Sequence, residues 1–454
     1  MMRYCGEELP RPSLEPMNLK IATPSLILIL IAVGALCQPL APSITKMGNG
    51  LTVILQEDHS SELVGIDVYI KAGSARETAK NNGVCHFIEH LLFSTTRKRK
   101  AGDMDREMES LGATLDAHTN YDYAHFSTTV SSRYLPKALD VFADAVNNSE
   151  FREQDVERER AVILDEVARR QSEPEVVCHQ LLAKLVYGAH PYSLPIEGTR
   201  ESVKSITRDD ILQFYHRYYV PSNMAIVLVG DFDKQSALSQ IGQLFQGKFG
   251  AATAPSDKPA IPKLTKQLTF SSKRAFDTNY LAIGYLGPSG ADYDDVCATD
   301  VLLTYLGLGY RSWLSDVLKA RKGLISHGSA DFLTQPDPAL ISIVVAATGT
   351  NISTARDAVL ARIEDIKKSG LTDGDIDRAK RSLLGDFAFQ VETVSGRANN
   401  YGFYFAVSDP AFSAKYVDCV QSVTGDDVKR VARKYLDPDA AAVVTIGPDV
   451  EDSK

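Results

Sequence analysis

Apolar positions along the chain follow two rhythms. Leu51-Thr-Val-Ile-Leu55 and Leu63-Val-Gly-Ile-Asp-Val-Tyr-Ile70 are strand-like runs, and helical patterns follow them. Later come a helical pattern, a Tyr-x-x-Pro turn and the run Met224-Ala-Ile-Val-Leu-Val-Gly230. The same succession ends the chain at Ala441-Ala-Val-Val-Thr-Ile-Gly447. The correspondence holds at one offset, 217 residues. It pairs Asp209-Asp210-Ile211 with Asp426-Asp427-Val428, Tyr218 with Tyr435, Pro221 with Pro438 and Gly230 with Gly447. Near the start of each half it pairs Leu51-Thr52 with Leu268-Thr269 and Gly73 with Gly290. Ordered matches at both ends of a unit point to duplication. The expected fold class is α+β, with two homologous domains, each a mixed, mostly antiparallel sheet with helices packed on it. The expected boundaries are 44–246 for the first domain and 263–450 for the second. Residues 247–262, rich in Ala, Pro, Gly and Ser, form the expected linker.

The leader breaks this pattern. Ile21 to Ser43 carries no charge, and its apolar heart is the eleven residues Leu26 to Leu36. That is short for a transmembrane helix, which needs about 20 residues, and suits the h-region of a secretory signal peptide. Met17-Asn-Leu-Lys20 supplies a short basic n-region, so Met17 is a candidate start. Residues 1–37 are therefore expected to be a signal peptide cleaved after Cys37. The protein is then periplasmic or secreted in a bacterium, with no stable span after processing. An uncleaved leader gives a membrane-anchored form instead.

Composition narrows the function. The 454 residues are 44% hydrophobic and 24% charged, which excludes a disordered chain and a polytopic membrane protein. The net charge of −9 leaves no basic surplus for phosphates, so no nucleic-acid partner is expected. Outside the leader stand Cys85, Cys178, Cys297 and Cys419, widely spaced and without a CxxC. They form no disulfide framework; one bridge is compatible with an oxidising compartment, and the spacing does not pair them.

The chemical signal is His86-Phe-Ile-Glu89-His90. In a helix, positions i, i+3 and i+4 share a face, so two imidazoles can grip one metal beside a carboxylate. Zinc suits nitrogen and oxygen ligands and, when catalytic, keeps a position for water. The HxxEH order inverts the commoner zinc-protease motif. A third ligand is sought in the helical run Val156 to Glu166, where Glu159 and Glu166 stand seven apart on one face. Glu166 is the candidate ligand, and Glu159 is a candidate hydrogen-bond partner for a ligand histidine.

These motifs resemble the pitrilysin family of zinc peptidases, in particular its half-length members such as the mitochondrial processing peptidase beta subunit. The resemblance rests on Asn49-Gly-Leu-Thr-Val53, Gly73-Ser-Ala-Arg-Glu77, Gly83 to Phe93, His190-Pro-Tyr192, Gly198 and Tyr219 to Met224. It implies Zn2+ held by His86, His90 and Glu166, with Glu159 behind them and Glu89 as general base. It places Asp116-Ala117 where the family usually has Asn-Ala, on a strand that pairs with substrate backbone. His118 and His125 flank that strand, and a structural or rim role is expected for both.

The second half departs from the pattern. At the 217 offset, His86, Glu89, His90 and Glu166 meet Leu303, Leu306, Gly307 and Leu383, none of which ligates a metal. Self-sufficient relatives carry an Arg and a Tyr seven residues apart that clamp the substrate carbonyl. Here those positions are Lys319 and Ser326, with Arg321 and Arg311 as alternative cations. Lys is a point charge and Ser is short, so the clamp is damaged. The expected function is a zinc-dependent endopeptidase acting on peptides or unfolded segments in a chamber. A homologous subunit carrying the Arg/Tyr pair completes a heterodimer, with a homodimer as the other arrangement. The alternative is a non-catalytic scaffold subunit, against which the retained histidines and Glu89 argue.

Overall fold

A computed structural model describes residues 41–246 and 258–453. The expected leader, 1–37, and positions 247–257 of the expected linker lie outside the described residues. The first half contains β1 (Ser43–Lys46), β2 (Thr52–Glu57), β3 (Leu63–Ile70), α1 (Val84–Leu91), α2 (Asp103–Ser110), β4 (Asp116–Thr119) and β5 (Ala124–Ser131). It continues with α3 (Leu135–Asn148), α4 (Glu153–Arg170), α5 (Pro174–Tyr187), α6 (Arg200–Ser205), α7 (Arg208–Tyr218), β6 (Met224–Gly230) and α8 (Lys234–Leu244). The second half contains β7 (Leu268–Lys273), β8 (Asn279–Leu286), α9 (Tyr293–Gly307), β9 (His327–Phe332), β10 (Leu340–Ala347) and α10 (Asn351–Ser369). It ends with α11 (Asp373–Gln390), α12 (Val394–Val407), α13 (Tyr416–Ser422), α14 (Gly425–Tyr435) and β11 (Ala442–Gly447).

The strands form two sheets of one plan, ordered β1-β2-β6-β3-β5-β4 and β7-β11-β8-β10-β9. Each is antiparallel except where the closing strand lies parallel to the opening one, β6 on β2 and β11 on β7. The 217 offset carries β3, β5 and β6 onto β8, β10 and β11 to within one residue at each end. Local chemistry repeats with it. Thr207 and Asp210 form a reciprocal capping box at the start of α7, and Thr424 and Asp427 do the same for α14. Gly230 and Gly447 close their strands at φ of 135° and 155°. A Cβ on Gly230 would lie 2.1 Å from the Leu63 carbonyl, so a glycine is required there.

The halves are joined by an exchange of helices. Alternate residues of sheet one separate its faces. Val53, Leu55, Val64, Ile66, Val68, Ile226 and Leu228 pack with helices of the first half. Ile54, Tyr69, Val227 and Val229 pack instead with Val394, Ala398, Tyr401 and Phe405 of α12, from the second half. Reciprocally, Cys178, Leu182 and Val186 of α5 cover Ala282, Val344 and Val444 of sheet two. Both faces of each central strand are thereby buried, and β6 reads as an unbroken apolar run for that reason. The exchange places both sheets in one compact unit.

The last part of the expected linker is anchored. Lys258 Nζ lies 3.1 Å from Asp337 and 3.7 Å from Asp122, and Ile261 packs against the α5 cluster. Cys297 of α9 and Cys419 of α13 are bridged as a disulfide with Cα atoms 6.2 Å apart, whereas Cys85 and Cys178 are buried free thiols. Among the described residues, no helix is long and apolar enough to cross a membrane.

Candidate metal centre

Helix α1 is short and two-faced. Val84, Phe87, Ile88 and Leu91 enter the core of the first half, and His86, Glu89 and His90 fall on the remaining surface. His86 is 6% exposed, and Glu89 and His90 are partly exposed. Helix α4 lies against α1 and brings Glu159 and Glu166 to it.

His86, His90 and Glu166 converge at their tips. The two Nε2 atoms are 3.3 Å apart, and Glu166 Oε2 lies 3.6 Å from His86 Nε2 and 3.7 Å from His90 Nε2. Donors at about 2.0–2.1 Å from a tetrahedral zinc lie about 3.3–3.4 Å from one another. The three observed edges are close to the face of such a tetrahedron. Two ring nitrogens with converging lone pairs beside a carboxylate also form a site that a cation relieves. The donor set therefore fits zinc. The three residues form the one such group of His, Cys, Asp or Glu among the described residues.

His90 is held from behind, whereas the buried Nδ1 of His86 has no hydrogen-bond partner among the described residues. Glu159 Oε2 lies 3.3 Å from His90 Nδ1, so Nδ1–H donates to the carboxylate and Nε2 keeps its lone pair. Arg158 Nε donates to the other oxygen of Glu159 at 3.1 Å. Burial holds His86 below its ordinary pKa, in the neutral form that ligates metals. Arg169 Nη2 stands 3.7 Å from Glu166 Oε1.

Strand β4 is the outer strand of its sheet and packs beside α1. One edge pairs with β5 through Asp116↔Ser127, Ala117↔Phe126 and His118↔His125. The other edge has no strand partner among the described residues, and Asp116, Ala117 and His118 are exposed. The charge of Glu89 acts on both His86 and His118. His125 is different: its Nδ1 lies 3.1 Å from buried Asp67, and Tyr69 stacks on its ring.

Lys319 stands exposed on a π-helical turn, Leu314–Arg321, and forms no ion pair among the described residues. Arg321 is taken by Asp316 at 2.5 Å, and the Ser326 hydroxyl donates to the Ala346 carbonyl at 3.2 Å. At the positions matching the ligands, Leu303 and Leu306 are buried in the core of the second half and Leu383 packs against it.

Sequence reasoning gave no role to Glu77. Its carboxylate is 3% exposed and accepts hydrogen bonds from the Gly83 and Cys85 amides at the start of α1. Burial pushes it up to about 7 against those bonds. The available signal was an acidic residue six positions before the glycine that stands at the helix N-cap.

A model described as insulinase (peptidase family M16) matches residues 52–200, and one described as the M16 inactive domain matches 205–383. An uncharacterized zinc protease of Streptomyces coelicolor is 27% identical, covering 86% of each chain. A probable mitochondrial-processing peptidase subunit beta of Arabidopsis thaliana is 28% identical over 89% of this chain and 78% of that one. The crystal structure of a protease from Helicobacter pylori superimposes with a TM-score of 0.87 at 24% identity, covering 90% of this chain and all of that one. Two sheets of one plan, a first half whose donor set fits zinc and a second half with leucines and a glycine at the matching positions agree with both family matches, and the chain belongs to the insulinase (M16), or pitrilysin, family of peptidases in its half-length form.

Proposed function

We propose that the protein is a zinc-dependent endopeptidase that cleaves extended peptides or unfolded segments. The observation that carries this reading is the His86–His90–Glu166 triangle, with Glu89 on the same helix and the free edge of β4 alongside. His86, His90 and Glu166 hold the ion, and Glu159 orients His90. Zinc, when bound, supplies Lewis acidity to the scissile carbonyl and to water. Glu89 accepts the proton of the attacking water and passes it to the leaving amine. A substrate strand adds to β4 by main-chain hydrogen bonds, with Asp116, Ala117 and His118 beside it. This mode selects extended segments over folded ones.

The same reading makes this chain the zinc-bearing member of a two-chain enzyme with an enclosed chamber. Lys319 and Ser326 stand where a carbonyl clamp is expected, and neither supplies a planar donor pair. A homologous chain with the Arg/Tyr pair completes the site. Export to the periplasm or medium agrees with the uncharged leader segment and with the Cys297–Cys419 bridge.

The decisive experiment is Glu89→Gln, assayed for peptide cleavage and bound zinc. Cleavage is expected to be lost while zinc is retained. Cleavage that persists refutes the role of Glu89. A wild-type protein alone that matches its complex with any partner in rate refutes the two-chain arrangement.

A further inference from the structure

We propose that Glu77 is a positioning residue for the metal site: it fixes where α1 begins and, through a chain of hydrogen bonds, sets α1 against α4. The inference rests on the zinc reading above.

Helix α1 has an unusual start. The residue at its N-cap is Gly83, with φ of 97°, so no side chain of that residue caps the free amides. Glu77 does so from six residues upstream. Its Oε2 accepts from Gly83 N at 2.8 Å and its Oε1 from Cys85 N at 2.8 Å. Cys85 immediately precedes His86, so this bond fixes the backbone one residue from a ligand. A carboxylate here also faces the positive end of the helix dipole.

The chain continues to the other ligand-bearing helix. Asn82 Nδ2 donates to Glu77 Oε2 at 2.9 Å and to the Pro195 carbonyl at 2.8 Å. A Cβ on Gly83 would come 2.9 Å from the Glu197 carbonyl, so the two backbones are in contact. Glu197 Oε1 accepts from Arg170 Nε at 2.6 Å. Arg170 ends α4, one turn after Glu166. The route from Glu77 through Asn82, the 195–197 segment and Arg170 thus ties the helix of the two histidines to the helix of the glutamate. A triangle with edges of 3.3–3.7 Å tolerates little movement between those helices.

The test uses Glu77→Gln, Glu77→Ala and Asn82→Ala in the full chain. Zinc affinity is measured by competition with a chromophoric chelator. Melting of the metal-free protein and kcat and KM at saturating zinc are measured alongside. Loss of outer-shell support weakens metal binding by about 10- to 100-fold. Glu77→Ala is expected near the upper end and Glu77→Gln, which keeps one acceptor, near the lower end, with kcat reduced and KM unchanged. Asn82→Ala keeps both amide bonds to Glu77 and is expected to weaken zinc less; it decides the matter if the Glu77 variants do not fold. Zinc affinity and kcat within about twofold of wild type, with only the metal-free melting lowered, overturn the proposal in favour of a purely structural carboxylate. Failure of the zinc-peptidase reading looks different: the wild type itself then neither holds zinc nor cleaves.

Discussion

Gly402 of α12 rests directly on the ring of Tyr69 in β3, so closely that a Cβ at Gly402 would lie 2.1 Å from two ring carbons. The two residues are 333 positions apart, and their contact is where the second half seats its helix on the sheet of the first. Tyr69 holds the register further by exchanging hydrogen bonds with Asn399, accepting from Nδ2 at 3.0 Å and donating to the carbonyl at 3.3 Å.

Gly402→Ala is therefore expected to destabilise the protein by about 1–3 kcal/mol, the usual cost of overpacking. Gly385→Ala in α11 is the matched control, because nothing lies within 4 Å of a Cβ there. It should be neutral or stabilising by up to about 1 kcal/mol. Urea denaturation of both variants checks the pair; equal effects would contradict the packing argument.

Glu159→Gln should weaken zinc binding by about 10-fold, because it removes the charge that holds His90 with Nε2 free. Chelator competition reads this directly. Melting of the zinc-free protein should move little, since the 3.3 Å contact joins two partly exposed groups.

Asp300 makes stability depend on pH. Burial pushes its carboxyl up to about 7 from 3.8, and its hydrogen-bond partner among the described residues is the Tyr416 hydroxyl at 2.7 Å. Between those values the folded chain keeps a proton that the unfolded chain releases. Unfolding is thus favoured as pH rises through that window, and the penalty levels off above it. Asp300→Asn, which keeps an acceptor for Tyr416, should melt above wild type at about pH 8 and converge with it near pH 4. A difference that stays constant with pH argues against the assignment.

The bridge between Cys297 and Cys419 closes a loop with a sequence separation of 122. Replacing both with serine should cost about 2–4 kcal/mol. A reductant should lower the melting temperature of wild type and leave the double variant unmoved. Two free thiols in the oxidised wild type, counted by alkylation and mass, are expected outside the leader, from Cys85 and Cys178.

Much of this architecture was legible in the residues themselves. The 217 offset is visible because the pairs Asp210 and Asp427, and Gly230 and Gly447, answer to local physics that any copy must keep, a capping box and a close backbone approach. The histidine spacing reveals a helix face in the same way. What stayed hidden depends on partners far along the chain. Leu182 and Val186 announce an apolar helix face but not whose sheet it covers. The spacing of four cysteines does not pair two of them. Glu77 escaped because two of its three partners are backbone amides, and an acidic residue ahead of a glycine N-cap is a weak signal.

The exchanged helices bear on why a copy without metal residues persists. If α12 were removed with the second half, Ile54, Tyr69, Val227 and Val229 would face water, and the ligand-bearing half would lose one wall of its own interior. The half that carries the two histidines is therefore not expected to keep its core when cut away at the linker. After duplication, selection could release the second copy from chemistry but not from service as part of the first copy's core. The two units now share one interior, so damage to the second half is felt in the core of the first.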